Sequence, residues 1–292
     1  MEGDAVRLGA AAAEAVDLVR FAHTAFALPF ALIAALAAAH GLPRWPVLGW
    51  IVLAMVGGRT AAMAFNRLAD HDLDAANPRT AGRGLPTARV SRGFAWVLVG
   101  GGGAALVVAA WRLNPLCLAL SPVALAWVLS YSCSKRFTSL SHIWLGVGLG
   151  IAPLGAWLAI RGAFAPAPVV LAVAVTAWVG GFDVLYSLQD EAFDRAAGLR
   201  SLPVRLGARR AIGVARVLHG VAATGFAVFA WMIGAGWGLW LGVAAAAGLL
   251  VWQHSLVAPG RLERLDTAFF TANGALSLLM FVLYLLDMMV RA

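Results

Sequence analysis

Apolar runs of about 20 residues, the length that crosses a bilayer as a helix, recur along this chain, and nearly all of its charges lie between them. Spans are expected at roughly 21–39, 47–69, 92–111, 115–133, 139–160, 167–188, 210–232, 235–256 and 268–290. The glycine-rich seventh and eighth are the hardest to separate. With 62% hydrophobic and 12% charged residues, the chain has too little polar surface for a soluble domain. The expected fold class is all-α: a polytopic membrane protein of about nine transmembrane helices, a single domain over 1–292 with the lipid bilayer as solvent. Residues 1–20 carry Glu2, Asp4, Glu14 and Asp17 among alanines and lack a basic start followed by an apolar stretch. They read as an N-terminal surface segment, amphipathic over 5–19, rather than a cleaved signal peptide.

A net charge of +8 would suit nucleic acid, but the basic residues sit in short loops between spans, so no nucleic-acid partner is expected. Arg7 and Arg20, the cluster Arg79, Arg83, Arg89 and Arg92, the pair Lys135 and Arg136, the run from Arg195 to Arg210, and Arg261 with Arg264 all fall on one side. Only Arg44, Arg112, Arg161 and Arg291 fall on the other. The positive-inside rule places the N-terminus and the loops after even-numbered spans in the cytoplasm. Cys117 and Cys133 show no metal-ligand spacing and no disulfide framework. Trp45, Trp50, Trp111 and Trp157 lie near span ends and read as interfacial anchors. The run Gly100-Gly101-Gly102-Gly103 reads as close helix packing, because no strand precedes it to make a phosphate loop.

Seven of the 14 acidic residues crowd into two segments. The first holds Asn66, Asp70, Asp72 and Asp74; the second holds Asp183, Asp190, Glu191 and Asp194. Each contains an aspartate pair four apart, which a helix places on one face, about 40° from eclipsed. Two such charges 4 Å apart repel by about 4 kcal/mol at an effective dielectric near 20. A divalent metal is the simplest candidate countercharge. The orientation analysis puts both segments on the same cytoplasmic face.

The stretch Asn66 to Asp74, continuing as Asn77-Pro78-Arg79-Thr80-Ala81-Gly82-Arg83-Gly84-Leu85-Pro86, resembles the first signature of the UbiA family of intramembrane prenyltransferases. Tyr186, Gln189, Asp190, Asp194, Gly198, Ser201 and Gly207 resemble the second. Tyr131-Ser132-Cys133-Ser134-Lys135 is similar to the family's tyrosine–lysine motif. Phe21 to Phe30, Arg59 to Asn66, and Ser201 to Arg205 resemble a bacterial branch labelled 4-hydroxybenzoate polyprenyltransferase-like, several members of which are assigned to the futalosine route of menaquinone synthesis. Gly84 stands where many relatives have proline and Arg67 where several have aspartate; neither is an expected metal ligand.

The resemblance implies a UbiA-type bundle around a cytoplasm-facing cavity, in a bacterial-type inner membrane. It implies transfer of a polyprenyl group from polyprenyl diphosphate to the ring of an aromatic acid, 4-hydroxybenzoate or a hydroxynaphthoate, in quinone biosynthesis. Mg2+ would be held by Asn66, Asp70, Asp74, Asp190 and Asp194, and the expected catalytic set is Asp70, Asp74, Asp190, Asp194 and Asp183. Lys135, the only lysine in the chain, would grip diphosphate oxygens, with Arg79, Arg83 and Arg136 as further candidates; the alternative makes these arginines orientation signals or headgroup contacts. Arg59 lies seven residues before Asn66, about 10 Å deeper on nearly the same face. An arginine near mid-membrane costs about 2.5–3.5 kcal/mol on insertion scales, so it needs a cavity or a partner. It reads as the receiver of the acceptor carboxylate, or else as the salt-bridge partner of Asp183. Asp183 orients the acceptor, takes up its proton, or compensates Arg59. Tyr131 offers its ring face to a cation or anchors a helix end, and His23 is a candidate acceptor contact. His71, His142, His219 and His254 show no shared ligand spacing.

Two alternatives stand beside this reading. One is a divalent-cation or small-molecule transporter, which would need polar groups through the full membrane thickness. The other is prenylation of a different acceptor within the same family.

Overall fold

The computed structural model describes residues 24–291; His23 and the segment read as amphipathic over 5–19 lie outside the described residues. The helices are α1 (Thr24–Ala39), α2 (Trp45–Ala69), a short α3 (His71–Ala76), α4 (Arg92–Leu113), α5 (Pro115–Ser134), α6 (Ser141–Arg161), α7 (Pro166–Tyr186), short α8 (Glu191–Ala196) and α9 (Leu202–Leu206), α10 (Ala208–Met232), α11 (Trp237–Leu256) and α12 (Ala272–Arg291). Among the described residues eight helices are long and apolar enough to cross a membrane, and α1 contributes a shorter apolar one.

Local chemistry sets the boundaries. Ser91 Oγ accepts the Phe94 N–H to start α4, and Asn114 Oδ1 accepts the Cys117 N–H to start α5, where Pro115 occupies the first turn. Gly162, at φ 65°, ends α6 in the left-handed conformation that glycine adopts without strain. The boundary between the seventh and eighth spans, blurred in the sequence by glycines, falls at Gly234, which turns the chain at φ 60°.

Half of the Gly100–Gly103 run packs helices: Gly102 and Gly103 are buried in contacts, whereas Gly100 and Gly101 have open space beside them. A Cβ on Gly57 would lie 2.7 Å from the Gly102 carbonyl, and one on Gly102 would lie 2.6 Å from the Gly57 carbonyl. Backbones of α2 and α4 thus touch directly, as small residues permit in lipid. The interior is built on α1 and α7. Phe30, Ile33, Leu171 and Trp178 are inaccessible to solvent, and 61% of an apolar 18-residue window in the span beginning at α7 is buried against 17% of one in α5. The helix that carries the second acidic segment is therefore the best fixed of the long spans.

Polar ties reinforce it. Trp178 Nε1 donates to Asn273 Oδ1 at 2.9 Å, and Asn273 Nδ2 donates to the Phe269 carbonyl at 2.7 Å, in a π-helical turn that leads into α12. His219 and His254, unrelated by spacing, meet at 2.9 Å, and His219 Nε2 lies 3.3 Å from the Trp178 carbonyl. The pair links α10 and α11 to α7. One tryptophan expectation is corrected: Trp157 is buried in the main core cluster with residues of α1 and α7, not placed at the lipid interface. Trp45 and Trp111 are exposed, as anchors require.

At the end of the bundle away from the acidic segments, the Asp287 carboxylate of α12 is fully buried against Gly236, the residue before α11. A Cβ on Gly236 would collide with it, and Arg291 Nη1 lies 3.8 Å away.

Candidate active site

Both acidic segments break their helix at the first aspartate. Asp70 (φ −100°, ψ 12°) ends α2 and precedes α3, while Asp190 (φ −97°, ψ 0°) ends a single 3₁₀ turn after α7 and precedes α8. The i, i+4 relation is therefore carried across a break, bridged in the first segment by the Asp74 N–H to the Asp70 carbonyl at 2.7 Å. Each six-residue helix turns its later aspartate inward, so Asp74 and Asp194 are both buried.

Countercharge comes from the chain itself. Arg83 Nη1 lies 2.7 Å from Asp74 Oδ1, and Arg67 Nη1 lies 3.7 Å from Asp74 Oδ2. Arg79 clasps Asp190 with Nε at 2.9 Å and Nη2 at 2.7 Å, the bidentate fork of a strong pair. Lys135 Nζ lies 3.0 Å from Asp194 Oδ2, and Arg136 Nη2 lies 3.2 Å from Asp70 Oδ1. Each of the four cations expected at a diphosphate thus sits on one of the four aspartates expected at the metal. Asn66 Nδ2 joins them by donating to Asp70 Oδ2 at 2.8 Å. Burial pushes the Asp70 carboxyl up to about 6, with Arg136 pulling the other way. Burial works against the Lys135 ammonium, but Asp194, joined by Asp183 and Asp190, holds its pKa above the ordinary lysine value.

The donor set fits magnesium. Asp74 Oδ2 is buried and accepts no hydrogen bond. Among the described residues no three acidic, histidine or cysteine side chains converge into a ready-made cage. That suits an ion that commonly uses one or two carboxylates and completes its shell with water and substrate phosphate. Asp72 and Glu191 stay outside, paired with His71 at 2.8 Å and Arg195 at 2.9 Å.

The two halves enclose a cavity of about 230 Å³ whose deeper lining includes Arg59, Met63, Tyr131, Val179 and Asp183. A second chamber of about 380 Å³, almost wholly apolar, lies among α2, α5 and α6 and shares Arg59, Met63, Asn66 and Tyr131 with the first. Arg59 makes no hydrogen bond or ion pair among the described residues, and its Nε is buried. The salt bridge to Asp183 considered from the sequence is not formed. Asp183 Oδ2 instead lies 2.7 Å from Nδ1 of His142, a residue that carried no signal in the sequence because its partner is 41 positions away. Phe26, Phe182, Tyr186 and Phe269 form an aromatic side of the polar cavity, with Tyr186 and Phe269 centroids 4.2 Å apart. The Arg79 guanidinium sits 5.8 Å from the Tyr186 ring centroid.

Residues 27–282 match the model of the UbiA prenyltransferase family. A 4-hydroxybenzoate octaprenyltransferase of Alkalilimnicola ehrlichii is 35% identical over 256 residues, covering 86% of this chain and 85% of that protein. The enzyme of the same name from Burkholderia multivorans is 30% identical over 223 residues, covering 75% and 76%. A UbiA homolog from Aeropyrum pernix K1, solved in its apo form, superposes with a TM-score of 0.84 at 34% identity, covering 91% of this chain and 98% of that one. A homolog from Archaeoglobus fulgidus, solved with DMAPP and Mg2+, shares the fold at a TM-score of 0.70 and 19% identity, covering 95% and 99%. With helix order, paired acidic segments and sequence all in agreement, the chain belongs to the UbiA prenyltransferase family.

Proposed function

We propose that this protein transfers a polyprenyl group from polyprenyl diphosphate to a ring carbon of an aromatic acid, 4-hydroxybenzoate or a hydroxynaphthoate, at the cytoplasmic face of a bacterial-type plasma membrane. The observation that carries this reading is the junction of the ion-paired cavity and the apolar chamber at Arg59, Asn66 and Tyr131. A substrate with a charged head and a long apolar tail matches that pair of spaces. The name shared by the curated relatives supports the acceptor class.

Magnesium held by Asp70, Asp74, Asp190 and Asp194, with Asn66 bonded to Asp70, would supply Lewis-acid stabilisation of the departing diphosphate. Arg79, Arg83, Lys135 and Arg136 then exchange their carboxylates for diphosphate oxygens. The positive charge required by the leaving group is already stored at the site as ion pairs, so no uncompensated cation has to be buried beforehand. Arg59, lacking an acidic partner, receives the carboxylate of the acceptor, while the aromatic side around Phe182 and Tyr186 takes its ring. The allylic cation forms as the carbon–oxygen bond breaks, the ring carbon attacks it, and the ring proton leaves toward Asp183. Tyr131, shared by both spaces, presents its ring face to that cation.

Purified protein in lipid, supplied with magnesium, a long prenyl diphosphate and a panel of aromatic acids, should give a prenylated acid detectable by mass spectrometry. Folded protein that prenylates none of the acids would sink the acceptor assignment. The transporter alternative lacks a polar route, since the chamber beyond Arg59 is lined almost wholly by apolar side chains.

A further inference from the structure

We infer that His142 is a positioning residue for Asp183, holding one carboxylate oxygen so that the other is presented to the acceptor. This rests on the function proposed above, and it extends that reading to a residue of α6. His142 is inaccessible to solvent. Its Nε2 lies 3.4 Å from the Leu202 backbone N–H, which can only donate, so Nε2 is the unprotonated nitrogen. Nδ1 therefore carries the proton and donates it to Asp183 Oδ2 at 2.7 Å. With one oxygen fixed, Asp183 keeps Oδ1, which takes no hydrogen bond from the described residues, for the cavity it lines.

The rest of the local structure holds this arrangement rigid. Ser201 Oγ accepts the Val204 N–H and starts α9, which sets the direction of the Leu202 N–H. The Arg200 N–H donates to the Lys135 carbonyl at 2.8 Å, and Arg200 Nη1 donates to the Phe137 carbonyl at 2.8 Å. Arg205 Nη1 lies 3.2 Å from Ser139 Oγ. The segment after the second acidic motif is thereby sewn to the loop before α6, with His142 as the stitch nearest the cavity.

This geometry gives His142 a defined task. Because Nε2 accepts the Leu202 N–H and Nδ1 faces Asp183, both ring nitrogens are engaged by fixed partners. It acts as a fixed donor and not as a relay. In the transfer step the ring carbon bonds to the allylic carbon, the carbon–oxygen bond to diphosphate breaks with its electron pair on oxygen, and the ring proton goes to Asp183 Oδ1.

Two substitutions separate orientation from mere packing. In His142→Asn the side-chain amide can donate from near the position of Nδ1, whereas in His142→Gln the polar group reaches the position of Nε2 instead. In proteoliposomes with magnesium, polyprenyl diphosphate and the accepted acid, His142→Asn should keep kcat within about threefold of the parent. His142→Gln should lower kcat at least about tenfold, with the KM for prenyl diphosphate unchanged. Equal losses in both variants, tracking their melting temperatures in detergent, would overturn the inference. A second readout needs no turnover: 15N spectra of histidine-labelled protein should show His142 protonated at Nδ1, with that signal moved by Asp183→Asn. A proton on Nε2, or a signal indifferent to Asp183→Asn, also overturns it. If the spectra agree but the parent protein makes no product from any acid, the proposed function fails and the positioning stands.

Discussion

The two acidic half-sites share one backbone plan and differ in what lies beneath it. In each, a six-residue helix follows an aspartate and delivers a second one four positions later; the first aspartate ends the long span directly in one half and a 3₁₀ turn after the long span in the other. Seven residues below the first aspartate stand Met63 in one half and Asp183 in the other. Eleven residues below stand Arg59 and Val179, and all four line the same cavity. One scaffold thus carries a lone cation on its first wall and a histidine-held anion on its second. Near the surface both halves set aspartates against cations; in depth they are opposite. An acceptor with a carboxylate at one position and a proton to lose at another matches that opposition.

The closures differ too. Asp74 is covered by Arg83 from its own loop and Asp70 by Arg136 from the loop after α5, whereas both aspartates of the second half, Asp190 and Asp194, are covered by Arg79 and Lys135 from elsewhere in the chain. The second half-site is complete only when the first has folded against it.

The pairing near the surface is broken most severely by removing an aspartate. Asp70→Ala and Asp190→Ala should each lower kcat by at least about 100-fold, the scale for losing a preorganised electrostatic group, in a product assay. Full activity in either variant would show that the two halves do not act together. The opposition in depth is tested next. Arg59→Ala should raise the KM for the acid by about 10- to 100-fold, from the roughly 1.5–3 kcal/mol of a charged hydrogen bond, and leave the KM for prenyl diphosphate unchanged. The reverse pattern would move Arg59 to the diphosphate. Asp183→Met, which gives the second wall the residue of the first, should reduce kcat while the acid still binds, as measured by retained acid affinity in a titration.

Smaller effects probe stability. Gly236→Ala, at the other end of the bundle, should lower the melting temperature, since overpacking costs about 1–3 kcal/mol, without shifting either KM. Smallest is a pH effect at Asp70. Its carboxyl is raised to about 6 in the folded, metal-free protein, so the native state binds more protons than the unfolded one between that value and the ordinary aspartate range. Metal-free protein should therefore gain stability as pH falls through about 6 toward 4, and a melting series should show Asp70→Asn lacking that gain.

Most of the fold was legible because bilayer thickness fixes span length and hydropathy reports it directly. The glycine contact of α2 and α4 followed from the same logic. Depth within the site was legible as well, since helical rise places Arg59 and Asp183 below the aspartates. Partnership was not. Which arginine meets which aspartate depends on how the loop from Asn77 to Arg89 folds back, and no periodicity encodes that. His142 joins Asp183 across two spans, so its role emerges only from packing. Trp157 went astray because a position near a helix end fixes depth in the membrane but not which way the side chain faces.

The apolar chamber sets a limit on what the protein can measure. Two residues of its lining, Val123 and Phe164, are 64% and 56% exposed. A chamber whose lining is that open is no end stop for a guest already at home in lipid. The protein would grip the first units of a chain beside the reacting carbon and leave the remainder to the bilayer. Under the proposed function, such an arrangement would be indifferent to how far long chains extend. Product length would then be decided by whichever enzyme builds the prenyl diphosphate, with this one acting as a ruler marked only at its near end.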